Sequence, residues 1–146
     1  MSKALAVFHG RFGRATVYQL NRPFNVHAHR EGHLIFHVGG MPAQMLAQTR
    51  PGARGALLFH TAVPLSEFGG SWPEGAPLQI HFMEDDPWAE EDLPAAREIV
   101  ETIEEAELFL YPGDRHLFAD NSVSDYDEEA AALLKQRALS FLAGVR

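Results

Sequence analysis

Three short apolar runs stand out in the hydrophobic pattern of the chain, over residues 55–60, 78–83 and 107–111. The first run is bounded by turn residues and has no polar position before its last residue, which is typical of a strand buried on both faces of a sheet. The other two runs have the length of strands and lead into polar loops. We therefore predict three strands of one sheet.

Apolar residues at helical spacing lie between these strands and after the last of them. This pattern predicts three helices, over residues 42–49, 92–105 and 125–143. Asp92 is placed to cap the second helix. Ser124 and Asp127 form a capping-box pattern before the third helix.

The first forty residues have a different pattern. Short segments rich in β-formers alternate with turns that contain glycine or proline, which predicts short strands near Val7, 16–18, Val26 and 34–37. Further along, strands alternate with helices, which implies a parallel sheet. We predict an α/β fold in one compact unit, with a β-rich segment over residues 1–40 that packs on or extends the sheet of residues 41–146.

Composition narrows the class of protein. The 146 residues are 46% hydrophobic, which suits a single domain with a real core. The chain has no cysteine, so disulfides and a thiol nucleophile are excluded and a reducing compartment is favoured. No apolar run approaches the roughly 18 residues of a membrane span. We expect a cytoplasmic protein without a membrane partner.

The net charge of −8 is unevenly distributed. Residues 1–55 carry seven basic residues and one acidic residue, whereas the rest of the chain carries five basic and nineteen acidic residues. The arginines of the first part are dispersed singly and form no run or helical stripe, so we expect no nucleic-acid partner. An incomplete sheet leaves an apolar edge, and we therefore expect a homodimer or a tendency to aggregate.

Polar loops follow the second and third apolar runs. Residues 84–88 include three carboxylates, and residues 112–116 end on His116. Functional groups of an open parallel sheet gather beyond the carboxyl ends of its strands, so a carboxylate and an imidazole are expected at one edge. A carboxylate that accepts a hydrogen bond from the imidazole would orient His116 as a general base. The alternative is a pair of ordinary solvated surface loops.

Four stretches of the later chain form recognisable motifs. They are PAQMLAQTRPGARGALLFHTAVP, PLQIHFMEDDPW, AELFLYPGDRHLFAD and SDYDEEAAALLKQRALSFL. Together, over about residues 42–146, they resemble the C-terminal half of the dienelactone hydrolase family, a branch of the α/β-hydrolases. The resemblance implies a partial α/β-hydrolase sheet, with Asp86 as the acid of a triad and His116 as its general base. It also implies hydrolysis of small carboxylic esters or lactones, without a cofactor.

The residue at the nucleophile position departs from that family. Its members carry Ser or Cys in an elbow G-x-[CS]-x-G between a strand and a helix. Aligned back from the helix at 42–49, the elbow falls on residues 35–39, with His37 at the nucleophile position and Ile35 in place of the first glycine. A site without its nucleophile keeps only the residual effect of binding and an oxyanion hole, which argues against efficient turnover. Acyl transfer through His37 is an alternative.

A second resemblance covers about residues 12–40. FGRATVYQLNRPFNVHAHREGHLIFHVGG is similar to the start of the cupin-type ligand-binding domain in AraC-type regulators. His27 and His29 match the H-x-H of metal-binding cupins, and His33 stands where a glutamate would fall; such a set can bind Zn, Ni, Cu or Fe. The alternative function is therefore a non-catalytic module for a divalent metal or a small effector, with a join between two family fragments near residues 39–40.

Overall fold

The computed structural model describes the backbone of residues 3–9, 15–20, 26–28 and 40–145, and the side chains of Met41 and of residues 43–145. The predicted strand at 34–37, including His37, lies outside the described residues. The predicted short strands near Val7, 16–18 and Val26 lie within them, and each is a strand.

Six strands and three α-helices make up the described part of the chain. The strands are β1 Lys3–His9, β2 Ala15–Leu20, β3 Val26–Ala28, β4 Ala53–Phe59, β5 Leu78–Met83 and β6 Ala106–Tyr111. The helices are α1 Gly40–Thr49, α2 Asp92–Thr102 and α3 Glu128–Gly144, and a short 3-10 helix spans Leu65–Phe68. None of the described helices is both long and apolar enough to cross a membrane.

The described strands form one sheet in the order β3-β2-β1-β4-β5-β6. β4, β5 and β6 pair in parallel, with Leu58 opposite Ile80 and Ile80 opposite Leu108. β1 pairs antiparallel with β4, and β2 and β3 continue the sheet outward, also antiparallel. The predicted parallel sheet with flanking helices is confirmed, and the N-terminal strands extend it.

Helices cover both faces of the parallel strands, which explains why these strands are so apolar. Apolar side chains of α1, α2 and the sheet form one cluster, which includes Ala43, Ala47, Leu58, Ile80, Phe82, Ala96 and Ile99. A second cluster lies under α3 on the opposite face and contains Leu57, Phe59, Met83, Tyr111, Phe118, Leu134 and Phe141. Every residue of β5 is buried, as expected for the middle strand of three parallel strands.

The start of α3 differs from the predicted capping box. The N-cap is Asp127, whose carboxylate accepts the N–H of Ala130 at 3.0 Å. Ser124 instead donates its hydroxyl to Asp125 at 3.3 Å. The backbone N–H of Asp127 donates to the carbonyl of Phe118 at 2.9 Å, and this tertiary bond sets the residue at which the chain enters the helix.

The start of α2 also differs in one bond. Asp92 is the first residue of the helix, as predicted, but its carboxylate accepts the N–H of Ala62, at 3.3 Å, from the loop after β4. The carboxylate therefore links α2 to the loop that follows β4, where the sequence pattern predicted only a local cap.

Candidate active site

Two loops leave the carboxyl edge of the sheet side by side, one after β5 and one after β6. The N–H of Glu84 donates to the carbonyl of Tyr111 at 2.8 Å, and the N–H of Asp85 donates to the carbonyl of Gly113 at 2.9 Å. The hydrogen-bond ladder between β5 and β6 thus continues past both strands and brings Asp86 alongside the turn that leads to His116.

The side chains of Asp86 and His116 meet at this edge. His116 Nδ1 lies 2.7 Å from Asp86 Oδ2, and the side chain of Asp86 is wholly buried, whereas 16% of the His116 side chain is exposed. The other carboxylate oxygen, Oδ1, accepts the backbone N–H of Trp88 at 2.9 Å. Because both oxygens are engaged, the carboxylate is held in place, and it accepts a hydrogen bond donated by Nδ1–H, which leaves Nε2 as the basic nitrogen of a neutral imidazole.

Gly113 shapes the turn that leads from β6 to His116. Its φ is +125°, and a Cβ atom at this position would lie 2.7 Å from Met83 Sδ. We expect Gly113→Ala to lower the free energy of unfolding by about 1–3 kcal/mol, because the strained backbone and the close contact add. Urea unfolding measures this change.

Gly69→Ala is the matched control for that substitution. Gly69 has a φ of +101°, nearer to that of Gly113, but a Cβ there would meet nothing within 4 Å. It should therefore show the cost of the left-handed backbone alone. Equal losses in the two variants would contradict a role for the Met83 contact.

His60 is a neighbour of this site that was not among the predicted site residues. It follows β4 directly, is buried, and has a φ of +63°, in the left-handed region. Its ring centroid lies 5.6 Å from that of His116 and 4.9 Å from that of Phe118. Its position just after a parallel strand, at the same edge as Asp86, was the signal available in the sequence.

His81 lies within the sheet, below this edge, and is fully buried. Its Nδ1 is 2.9 Å from the hydroxyl oxygen of Tyr111, and its ring stacks on Phe109 with centroids 5.2 Å apart. Burial, together with the positive charge of Arg137, lowers the pKa of His81 to about 3. His81 is therefore a neutral core side chain and no acid–base group at neutral pH.

Arg137 and Tyr111 are neighbours of His81. Burial raises the pKa of Tyr111 although the charge of Arg137 opposes this, so the phenol keeps its proton at neutral pH. The Arg137 guanidinium also lies 4.2 Å from the centroid of Phe109. The same guanidinium lies 5.1 Å from the centroid of the Tyr111 ring, so it packs over both rings that stack on His81.

A model of the dienelactone hydrolase family matches residues 3–145. The chain belongs to this family. This membership supports a hydrolase-type function in general. No curated protein matches the chain.

The match to the dienelactone hydrolase family extends beyond the region where the sequence motifs resembled it. It includes residues 12–40 and the expected join near 39–40, so the resemblance to an AraC-type cupin domain is not supported. Of the proposed metal ligands, His27 lies in β3, and His29 and His33 lie outside the described residues. Among the described residues, no group of three His, Cys, Asp or Glu side chains is arranged to hold a metal ion.

Proposed function

We propose that this member of the dienelactone hydrolase family hydrolyses small carboxylic esters or lactones, with His116 as general base and Asp86 as the residue that orients it. The proposal is carried by the 2.7 Å contact between His116 Nδ1 and the buried carboxylate of Asp86. Two adjacent parallel strands present these side chains at one edge of the sheet, where α/β proteins place reactive groups.

In this proposal a water molecule is the nucleophile, because His37 stands where the family has Ser or Cys. His116 Nε2 takes a proton from the water as the water oxygen bonds to the carbonyl carbon. Asp86 remains ionised and stabilises the imidazolium. The imidazolium then gives its proton to the departing alkoxide as the carbon–oxygen bond breaks. An ester yields an acid and an alcohol, a lactone opens to a hydroxy acid, and no acyl-enzyme forms.

The test is hydrolysis of p-nitrophenyl acetate, followed by absorbance. We expect slow turnover by the wild type above a heat-denatured control, and a loss of about 10²-fold in kcat/KM for His116→Ala, as is typical when a general base is removed. Turnover equal to that of the denatured control would refute the proposal.

Asp86→Asn with Asp85→Asn as its control tests the orienting role. Asp85 is the neighbouring carboxylate on the same loop and is exposed, whereas Asp86 is buried against His116. We expect Asp86→Asn to lower kcat about as much as His116→Ala does, because an amide stabilises the imidazolium poorly and favours the other tautomer. Asp85→Asn should leave kcat unchanged, and similar losses in both variants would contradict the assignment.

A further inference from the structure

Trp88 is the most exposed of the large apolar side chains in the described part of the chain, with 77% of its surface accessible. It follows Asp86-Pro87 in the loop after β5 and lies at the same edge of the sheet as His116. Its ring centroid is 6.3 Å from that of His116, at an interplanar angle of 52°. An exposed indole beside a candidate catalytic base offers a flat apolar surface to whatever occupies the site.

The backbone of Trp88 is fixed although its ring is exposed. Its N–H donates to Asp86 Oδ1 at 2.9 Å, the same carboxylate that holds His116. Trp72 makes an instructive contrast, because its indole N–H donates to the carbonyl of Ala76 at 2.7 Å and its ring is half-buried against the core. Packing explains Trp72, but it leaves the exposed ring of Trp88 unexplained.

The charge around this loop is negative. Glu84, Asp85 and Glu90 are exposed on the loop that carries Trp88, and they also line a separate cavity of about 470 Å³ that includes neither Trp88 nor His116. Carboxylates close to an exposed ring repel anions and leave uncharged ligands unaffected. The aromatic surface and the charge therefore favour the same kind of ligand, one that is flat, apolar and without a negative charge.

We propose that Trp88 is a substrate-recognition residue that selects esters carrying an uncharged aromatic group beside the carbonyl, by stacking of that group on its indole ring. This inference rests on the proposed hydrolysis at His116, because it assigns the recognition surface of the same site. With Trp88 in this role, the site prefers esters with aryl groups over those with alicyclic groups of equal size. It also discriminates against esters whose acyl group carries a free carboxylate.

Three carboxamides that resemble such esters but resist hydrolysis provide the test. Benzamide has the aromatic ring, cyclohexanecarboxamide replaces it with an alicyclic ring of similar size, and 4-carbamoylbenzoate adds a carboxylate. Calorimetric titration of the wild type should give a Kd for benzamide that is about three- to tenfold lower than for either of the other two, as expected from one aromatic stacking contact.

Substitutions of Trp88 show whether the preference arises there. Trp88→Ala should weaken benzamide binding about three- to tenfold and change the binding of cyclohexanecarboxamide by less than twofold. Trp88→Phe should restore most of the preference. Leu133→Ala is the control, because it removes another exposed apolar side chain, 41% accessible, on α3. Undiminished benzamide binding in Trp88→Ala, or equal losses for both amides, would overturn the inference.

Fluorescence reports on the same contact directly. The chain has two tryptophans, so in Trp72→Phe all indole emission comes from Trp88. Benzamide should change that emission with the Kd found by calorimetry, and an unchanged emission at saturation would also overturn the inference.

Because these measurements need no turnover, benzamide binding without ester hydrolysis would refute only the proposed function. Ester hydrolysis that is indifferent to Trp88→Ala for both acyl types would refute only the role of Trp88.

Discussion

Replacing His37 with serine is expected to raise the rate of p-nitrophenyl acetate hydrolysis by on the order of 10²- to 10⁴-fold, part of what a complete triad gains over a site that lacks its nucleophile. The sequence alignment predicts His37 at the nucleophile position of the family elbow, three residues before the start of α1. The pair of Asp86 and His116 is already in hydrogen-bond contact. Serine would supply the one group of the triad that the sequence lacks.

The rate is expected to rise because the serine opens a different reaction pathway. His116 would deprotonate the introduced hydroxyl, which attacks the ester and releases p-nitrophenol before water hydrolyses the acyl-enzyme. Stopped-flow absorbance should therefore show a burst of p-nitrophenol in His37→Ser that the wild type lacks. A fluorophosphonate probe, which reacts with activated serines, should label His37→Ser.

Two further variants control this experiment. His37→Ala removes the imidazole without adding a nucleophile, and we expect it to match the wild type; a loss of turnover would indicate acyl transfer through His37. Adding His116→Ala to His37→Ser should remove the gain, since the base would be missing. If His37→Ser is no faster than His37→Ala, the elbow does not lie within reach of His116.

His81 is expected to destabilise the folded protein in acid. Its pKa is about 3 when folded, against the ordinary value of 6.5 in an unfolded chain. Above pH 6.5 neither state is protonated and the histidine contributes nothing to pH dependence. As the pH falls from 6.5 towards 3, mainly the unfolded chain takes up the proton, so the destabilising contribution of His81 reaches about 2 kcal/mol at pH 5 and about 4 kcal/mol at pH 3.

Urea unfolding at pH 7.5 and pH 5.0 measures this effect in wild type and in His81→Leu. Leucine keeps an apolar side chain against Phe109 and cannot titrate, so the variant should lose about 2 kcal/mol less than the wild type over this interval. Leu133→Ala, an exposed change on α3, should retain the full pH dependence of the wild type. The same pH dependence in wild type and His81→Leu would contradict the lowered pKa.

The sequence alone predicted the parallel strands of the sheet and the edge at which the loops after β5 and β6 meet. Continuous apolar runs gave β4, β5 and β6 to within two residues, because strands covered on both faces have few polar positions. Once these strands are parallel neighbours, the residues after them must share an edge. For this reason the sequence alone predicts that the loops carrying Asp86 and His116 lie side by side.

Other features depend on contacts that local patterns do not encode. The left-handed φ of His60 arises where β4 meets the edge of the sheet, and its ring reaches Phe118, which is far along the chain. Asp127 is the N-cap of α3, and its backbone N–H donates to the carbonyl of Phe118, which fixes the backbone at this residue. The pairing of β1 with β4 joins segments more than forty residues apart, and neither segment alone indicates its partner.

The two backbone bonds that extend the ladder between β5 and β6 have a consequence for catalysis. Glu84 and Asp85 are bonded to the chain at and just past the end of β6, so the loops that carry Asp86 and His116 are joined by backbone hydrogen bonds as well as by their side-chain contact. In the proposed mechanism, the imidazole of His116 and the carboxylate of Asp86 are therefore preorganised: they are in contact before a ligand binds. In the proposed mechanism, the gain from a restored nucleophile would thus depend on the placement of residue 37, since His116 and Asp86 are already in contact.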